Sequence, residues 1–374
     1  MTTTHIDRRQ DSSDEQRERF DTIVIGGGQA GLTAGYHLKR RGLPFVILDR
    51  HDRIGDAWRT RWDSLRIFTP ASYSGLPGWR FPAPASSFPT KDEMADYLEA
   101  YAARFELTVR NGVTVDRLSK TGDRFVVEAG ESVYEADHVI VATGAHHTPS
   151  VPEFARELDP RILQLHSSDY RSPAQLRDGD VLLVGAGNSG AEIGYELSTS
   201  RHAWLAGPDV GEIPVPHGSR RSRVVFPIVF FMFHNVLTKG NPIGRRVGPK
   251  KAADGDQLIR RRRRDLEAAG IERVPRVVGV RDGLPLLEDD RVLDPANIVW
   301  CTGYRQDFSW IDLPVFGEDG LPQHERGVVP AEPGLYFLGL VFQYSISSDV
   351  LPNRGRDAGY IAKHLAGQAA ERSR

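Results

Sequence analysis

This sequence predicts an α/β fold of two parallel-sheet units, the second inserted into the first. Three observations predict it. Two segments, DTIVIGGGQAGLTAGYHL (21–38) and VLLVGAGNSGAEIGYEL (181–197), each carry an apolar strand through a glycine-rich turn into a helical pattern. Two later apolar strands, HVIVATG (138–144) and NIVWCTG (297–303), both end in threonine-glycine. A third apolar strand, GLYFLGL (334–340), comes after both and returns the chain to the first unit.

In the first unit Ile23, Val24 and Ile25 lead straight into Gly26-Gly27-Gly28-Gln29-Ala30-Gly31, a match to G-x-G-x-x-G, with a helix predicted from Leu32 to Arg41. Gly26 permits the tight turn, Gly28 lets a pyrophosphate approach the backbone, and Gly31 lets helix and strand pack closely. The helix N-terminus offers N–H groups and a positive dipole end to the phosphates. The next strand, PFVILDR, ends in Asp49, 23 residues after Gly26, followed by Arg50. A carboxylate there accepts hydrogen bonds from a ribose diol, so this Rossmann-like unit is expected to hold an ADP moiety without a 2′-phosphate.

In the second unit Gly185-Ala186-Gly187-Asn188-Ser189-Gly190 repeats the pattern 159 residues downstream. Its second strand, HAWLAGPD, has no carboxylate before Asp209. Arg201 ahead of that strand, or Arg220, Arg221 and Arg223 in the following loop, are the candidates to anchor a 2′-phosphate. The choice between NADPH and NADH stays open. Two adenine dinucleotides facing each other, one resident and one arriving, are what hydride transfer from a nicotinamide to a flavin requires.

The strand GLYFLGL contains Gly339, and GRDAGYIAKHL (355–365) is read as the closing helix of the first unit. The expected domains are therefore 20–160 with 304–374 for FAD and 161–303 for NAD(P)H, with hinges at 144–165 and 300–310. Residues 1–19 are polar and lack the apolar core of a secretory signal, and are expected to form a disordered tail on a cytoplasmic enzyme.

The 374 residues are 40% hydrophobic with a net charge of −2, a balance that gives no general attraction to nucleic acid. The single cysteine, Cys301, excludes an intramolecular disulfide couple and a cysteine metal cluster, so redox chemistry must come from a bound cofactor. No metal site is expected, because the adjacent His146 and His147 lack ligand spacing.

Two further stretches, IGDAWRTRWDSLRIFTPASYSGLPG (54–78) and HSSDYRSP (166–173), make a resemblance specific. With the two glycine turns, the chain resembles the class B flavoprotein monooxygenases over roughly residues 20–366. It is most similar to the flavin-containing type, in particular short bacterial members akin to the plant auxin-forming flavin monooxygenases. The family motif F-x-G-x-x-x-H-x-x-x-(Y/F) is met at His166 and Tyr170, whereas Pro160 and Ile162 stand where phenylalanine and glycine belong. Tyr170-Arg171 replaces the tryptophan-proline of ketone-oxidising members.

The resemblance implies that Asp49 holds the FAD ribose, with Ala57, Trp58 and Arg59 along the flavin edge. It places the stretch from Leu65 to Thr69 against the isoalloxazine, with Thr143 and Gly144 closing over it. Asn188 and Ser189 would meet the NADP pyrophosphate. It also implies NAD(P)H and dioxygen as co-substrates, an oxygen adduct at the flavin C4a carbon, and a small organic substrate. No catalytic protein nucleophile is implied; His166 and Tyr170 are motif residues. Pro208 stands where the family commonly has an arginine, and SSDVLPNRGRDA (347–358) departs from the glycine-rich form expected beside the flavin.

Two stretches read as unrelated to the chemistry. The apolar run Val224 to Leu237 has 14 residues, fewer than the roughly 20 needed to span a bilayer, and is expected to be a buried helix or pocket lining. The alternative is weak peripheral membrane contact, helped by Lys239, Arg245, Arg246, Lys250 and Lys251. Arg260 to Arg264 is expected to be a solvated helix face, with Arg261–Asp265 and Arg263–Glu267 at i,i+4 spacing. The function these features predict is an FAD-dependent monooxygenase. The alternatives are an NAD(P)H oxidase or reductase that inserts no oxygen, and a non-catalytic nucleotide sensor. Oligomeric state is not encoded legibly.

Overall fold

Short runs of β-branched and leucine residues, Ile23-Val24-Ile25, Val46-Ile47-Leu48 and Val139-Ile140-Val141, are buried on both faces, as parallel strands sandwiched between layers must be. The computed structural model describes residues 17–145, 148–213, 219, 221–246, 257–351 and 354–372. His146, His147, Arg220, Lys250 and Lys251 lie outside the described residues.

The chain opens with β1 (Arg17–Ile25), α1 (Gln29–Lys39) and β2 (Val46–Leu48), followed by α2 (Asp56–Arg59), α3 (Ala71–Ser74) and α4 (Lys91–Arg104). Then come β3 (Val109–Arg110), β4 (Arg117–Thr121), β5 (Arg124–Ala129) and β6 (Ser132–Val141). After β7 (Thr148–Pro149) the second unit runs β8 (Leu163–His166), β9 (Val181–Val184), α5 (Asn188–Leu197) and β10 (Ala203–Ala206). It continues through α6 (Ser222–Phe231), a helix α7 at 242–246, and α8 (Arg263–Ala268). The strands β11 (Glu272–Val274), β12 (Val277–Arg281), β13 (Leu284–Leu287) and β14 (Asn297–Trp300) follow it. The chain returns through β15 (Tyr304–Arg305) and β16 (Leu335–Phe337) and closes with α9 (Arg354–Arg372).

The first sheet has the order β3-β2-β1-β6-β5-β4, with β16 also pairing β6 in parallel. The second has the order β11-β10-β9-β14-β8, all parallel. The first sheet thus draws strands from both sides of the second in sequence, the arrangement of a unit inserted into another. Period-two alternation divides each sheet between two cores. Val24, Ile47 and Ile140 pack with α1, α4 and α9, whereas Ile23, Leu48 and Val141 pack with Phe308, Ile311 and Phe337 on the opposite face. In the second sheet Leu183 and Leu205 join α5, and Leu182, Ile298 and Trp300 face the other way.

Between the sheets the two crossing segments pair with each other. β7 and β15 form a short antiparallel ladder, Tyr304 opposite Pro149 and Arg305 opposite Thr148, at the predicted hinges. β1 begins at Arg17, inside the 1–19 stretch expected to be a tail, and the remainder of that stretch lies outside the described residues. The extension of β1 pairs with Val133–Glu135, and Arg17 and Arg19 both reach the Glu135 carboxylate. A polar sequence suffices there because the pairing is made by backbone and charge.

The arginine run departs from its predicted form. Helix α8 starts only at Arg263; Arg260 and Arg261 lie in a bend, Arg262 is extended, and their side chains reach across to other elements. Arg260 donates to the two Glu192 carboxylate oxygens through Nε and Nη2, Arg262 pairs with Glu212, and Arg263 with Asp209. The Arg261 guanidinium lies 3.6 Å from the centre of the Tyr195 ring. Local i,i+4 spacing gives way to tertiary carboxylates, foremost Glu192, which has only 4% of its side chain exposed and requires a cation.

Candidate active site

The two glycine turns have one geometry. Gly26 has φ 108° and Gly185 φ 115°, a region that costs glycine little and other residues much. A Cβ on Gly26 would sit 2.7 Å from the Ala142 carbonyl oxygen, and one on Gly185 2.2 Å from that of Cys301. At the third glycines, a Cβ on Gly31 would fall 1.8 Å from the Gly26 oxygen and one on Gly190 2.0 Å from the Gly185 oxygen. The middle glycines differ from both: a Cβ on Gly28 or Gly187 meets nothing within 4 Å. Both are N-caps without a side-chain cap, so the positive ends of α1 and α5 begin beside open space.

Around the first opening the predicted residues converge. Gly144 has φ 80° with open space where its Cβ would be, and Gly339, at φ 87°, brings a Cβ position within 3.4 Å of the Ala30 Cβ and 4.0 Å of the Gly144 Cα. Thr143 links Gly144 to Ala142 at the end of β6. Asp49 directly follows β2 and is buried. The Gly27 N–H donates to its Oδ2 at 2.5 Å, and the His51 N–H and Nδ1 meet its Oδ1 at 2.9 and 2.8 Å. Burial pushes this carboxyl up, but the hydrogen bonds from His51 and Gly27 outweigh it and hold Asp49 below the usual carboxylate range. Oδ2 keeps a lone pair for a further donor. An open glycine turn, a helix dipole and an ionised strand-end carboxylate fit the phosphates and ribose of FAD.

Other first-unit residues have partners of their own. Arg50 is exposed. The Arg59 guanidinium donates to the Ile54 carbonyl and to Asp56, Asp96 and Glu99, tying α2 to α4, while Ala57 is exposed and Trp58 packs on the α1–α4 core. Leu65 packs against cores of both units, and Thr69 shares a 2.9 Å hydrogen bond with Ser74.

In the second unit the Asn188 amide is engaged with the segment ahead of α8. Its Nδ2 donates to the Gln257 carbonyl at 3.0 Å and its Oδ1 accepts from the Ile259 N–H at 2.9 Å. Ser189 follows in the first turn of α5. Leu48 pairs with Ile25 ahead of the first glycine turn as Ala206 pairs with Val184 ahead of the second, so the position matching Asp49 is Gly207, followed by Pro208. Arg273 on β11 donates to the carbonyls of both. No carboxylate ends this strand to repel a 2′-phosphate, and the fit extends to either nicotinamide dinucleotide.

The motif residues His166 and Tyr170 are structural in their contacts. The Ser168 N–H donates to His166 Nδ1 at 3.1 Å, which places the imidazole proton on Nε2, where it donates to the Gly303 carbonyl at 3.0 Å. Burial pushes the imidazole below its ordinary range, keeping it neutral near pH 7. Its ring edge meets Tyr304, whose hydroxyl accepts from Arg61 of the first unit. Tyr170 is fully buried and donates to Glu196 at 2.7 Å. Cys301 is partly exposed as a residue, but its thiol is enclosed, and burial pushes it up to about 12. Among the described residues no cluster of histidine, cysteine or carboxylate side chains is arranged to hold a metal ion.

Sequence reasoning did not single out Gln343 or His51. Gln343 is buried, accepts from the Gly339 N–H at 2.9 Å and donates to the Phe337 carbonyl at 3.0 Å, fixing the turn that carries Gly339. Nothing in the sequence marks a lone loop glutamine. His51 was open to discovery, since a residue two positions after an aspartate commonly closes an Asx turn.

This pairing of two dinucleotide folds, with one enclosed thiol, defines a flavoprotein oxidoreductase, and the chain belongs to the class B flavoprotein monooxygenases. Residues 23–203 match the family described as pyridine nucleotide-disulphide oxidoreductase. Over 348 residues the chain is 38% identical to an uncharacterized CzcO-like oxidoreductase of Geobacillus kaustophilus, covering 92% of this chain and 98% of that one. It is 27% identical to the probable indole-3-pyruvate monooxygenase YUCCA3 of Arabidopsis thaliana, over 94% of this chain and 88% of that one. Among solved structures it resembles a flavin-containing monooxygenase from Stenotrophomonas maltophilia, with 28% identity, 94% and 99% coverage and a TM-score of 0.75.

Proposed function

We propose that the protein is an FAD-dependent monooxygenase that uses NAD(P)H and dioxygen to oxygenate a small organic substrate. The observation that carries this reading is the duplicated glycine turn, each copy opening its middle glycine and its helix start to a ligand. In the proposed assignment Gly26, Gly28, Gln29, Ala30, Gly31, Asp49, Thr143, Gly144 and Gly339 hold FAD. Gly185, Gly187, Asn188, Ser189 and Gly190 hold the nicotinamide dinucleotide.

FAD held by the first set of residues would supply the redox chemistry, hydride acceptance and electron transfer to dioxygen. The chain binds and orients. Asp49 fixes the adenosine end of the flavin nucleotide, and the Arg61–Tyr304–His166–Gly303 contacts join the two units across the crossing strands. The enclosed Cys301 thiol and the lack of a second cysteine argue against a protein disulfide as electron acceptor. The names of the YUCCA3 relative and of the Stenotrophomonas maltophilia structure support oxygenation over simple electron transfer.

The test is label incorporation. Protein loaded with FAD is supplied with NADPH or NADH, labelled dioxygen and a panel of small thioethers, amines and 2-oxo acids. Label in a product, with nicotinamide consumed in step with it, is the expected result. Nicotinamide consumption matched only by hydrogen peroxide across the panel would move the assignment to an NAD(P)H oxidase.

A further inference from the structure

The apolar run at 224–237 does not become the buried helix its composition predicts. In α6 and the π-helical turn Met232–Val236 that follows, Ile228, Phe231 and Met232 are 58%, 61% and 44% exposed. Ile243 on α7 is 55% exposed. Arg221 at the start of α6, and Arg245 and Arg246 on α7, are exposed as well. The sequence from 213 to 253 carries eight lysine and arginine residues and no aspartate or glutamate, within a chain whose net charge is −2.

The segment is not a loose appendage. His234 Nδ1 and the Ser347 hydroxyl are 2.8 Å apart, the Lys239 N–H donates to the Tyr344 carbonyl at 2.7 Å, and the Ile346 N–H donates to the Leu237 carbonyl at 3.2 Å. The Phe230 ring lies 4.6 Å from that of Tyr73 on α3. One face is therefore fastened to the chain beyond Gly339 and to the segment after Thr69, while the opposite face shows large apolar side chains to solvent.

We infer that this face is a peripheral docking surface for an anionic lipid bilayer, with Ile228, Phe231, Met232 and Ile243 entering the headgroup–acyl boundary and Arg221, Arg245 and Arg246 meeting lipid phosphates. Charge selects the occupant. Exposed apolar side chains alone suit many partners, but combined with a wholly basic segment they match the chemistry of interfacial helices on acidic membranes. No described helix is long and apolar enough to cross a bilayer, so the contact is one of surface attachment.

Vesicle co-sedimentation of the FAD-loaded protein tests this without reference to turnover. Vesicles of phosphatidylcholine alone are compared with an equal mixture of phosphatidylcholine and phosphatidylglycerol. Binding to the mixed vesicles alone is expected, weakening with salt. Each basic residue near the surface is worth about fivefold, so Arg245→Gln with Arg246→Gln weakens binding on the order of thirty-fold. Phe231→Ser with Met232→Ser, at exposed positions, abolishes it while flavin content and circular dichroism stay those of the parent. Failure to sediment with acidic vesicles would overturn the inference. Equal binding to neutral vesicles would do so too, as would self-association in solution that the Phe231→Ser, Met232→Ser variant removes.

Discussion

Gly28→Ala and Gly31→Ala separate ligand contact from folding within one turn. At Gly28 the backbone has φ −74° and ψ −170°, a conformation alanine adopts freely, and its Cβ meets nothing within 4 Å. Alanine there should leave the fold intact or stabilise it by about 0.4–1 kcal/mol through the unfolded chain. The new methyl nevertheless fills the space assigned to the pyrophosphate, so flavin affinity is expected to fall at least tenfold, which is about 1.4 kcal/mol. At Gly31 the Cβ would lie 1.8 Å from a backbone oxygen that has no flexible end to move. Relief requires α1 to shift from β1 by more than an ångström, an overpacking cost of roughly 1–3 kcal/mol or more. Thermal unfolding of the flavin-free proteins and flavin titration together check this. Normal flavin affinity in Gly28→Ala, or parental stability in Gly31→Ala, would refute the assigned roles.

Further outcomes follow from other contacts. Removing the Arg260 side chain takes both hydrogen bonds from the buried Glu192 carboxylate and leaves it only the Arg261 guanidinium at 3.5 Å, so Arg260→Ala should cost about 3 kcal/mol in chemical unfolding, and Glu192→Gln in the same background should recover much of it. Asp49 is held below the ordinary carboxylate range, so its contribution to stability is present above the unfolded pKa and is lost as pH falls through the lower folded value. Asp49→Asn should flatten that acid-side loss and weaken flavin binding, read by unfolding at stepped pH. The His166 imidazole is held below its ordinary range and is neutral when folded. Protonation therefore opposes folding below about pH 6.5, and proton NMR of the ring should show a midpoint under that value. Cys301, with its thiol at about 12, should resist thiol reagents in the native protein, and Cys301→Ala should keep nicotinamide oxidation.

The parts of the fold legible in the sequence were those set by local geometry. A glycine turn declares itself because only glycine tolerates the φ of Gly26 and Gly185 and the contacts of Gly31 and Gly190, and the threonine-glycine endings marked the strands that cross between units. The illegible parts depend on distant partners. Nothing near Arg260 reveals that Glu192 sits buried 68 residues earlier in the chain, so helical spacing alone gave a solvated face. The Val224–Leu237 run reads as core because composition cannot show which face of a helix finds a neighbour. Asn188 is assigned by resemblance to a pyrophosphate, and its side-chain amide also bonds to Gln257 and Ile259, a tether between segments that no motif records.

The measurement closest to the central claim is rapid-mixing absorbance of the FAD-loaded protein, reduced anaerobically with NADPH or NADH and then mixed with oxygen. A monooxygenase gives flavin bleaching by a nicotinamide, then a long-lived oxygenated flavin spectrum that decays faster when an oxidisable substrate is present. Immediate reoxidation with stoichiometric hydrogen peroxide, unaltered by NADP⁺ or by any substrate, would contradict that claim.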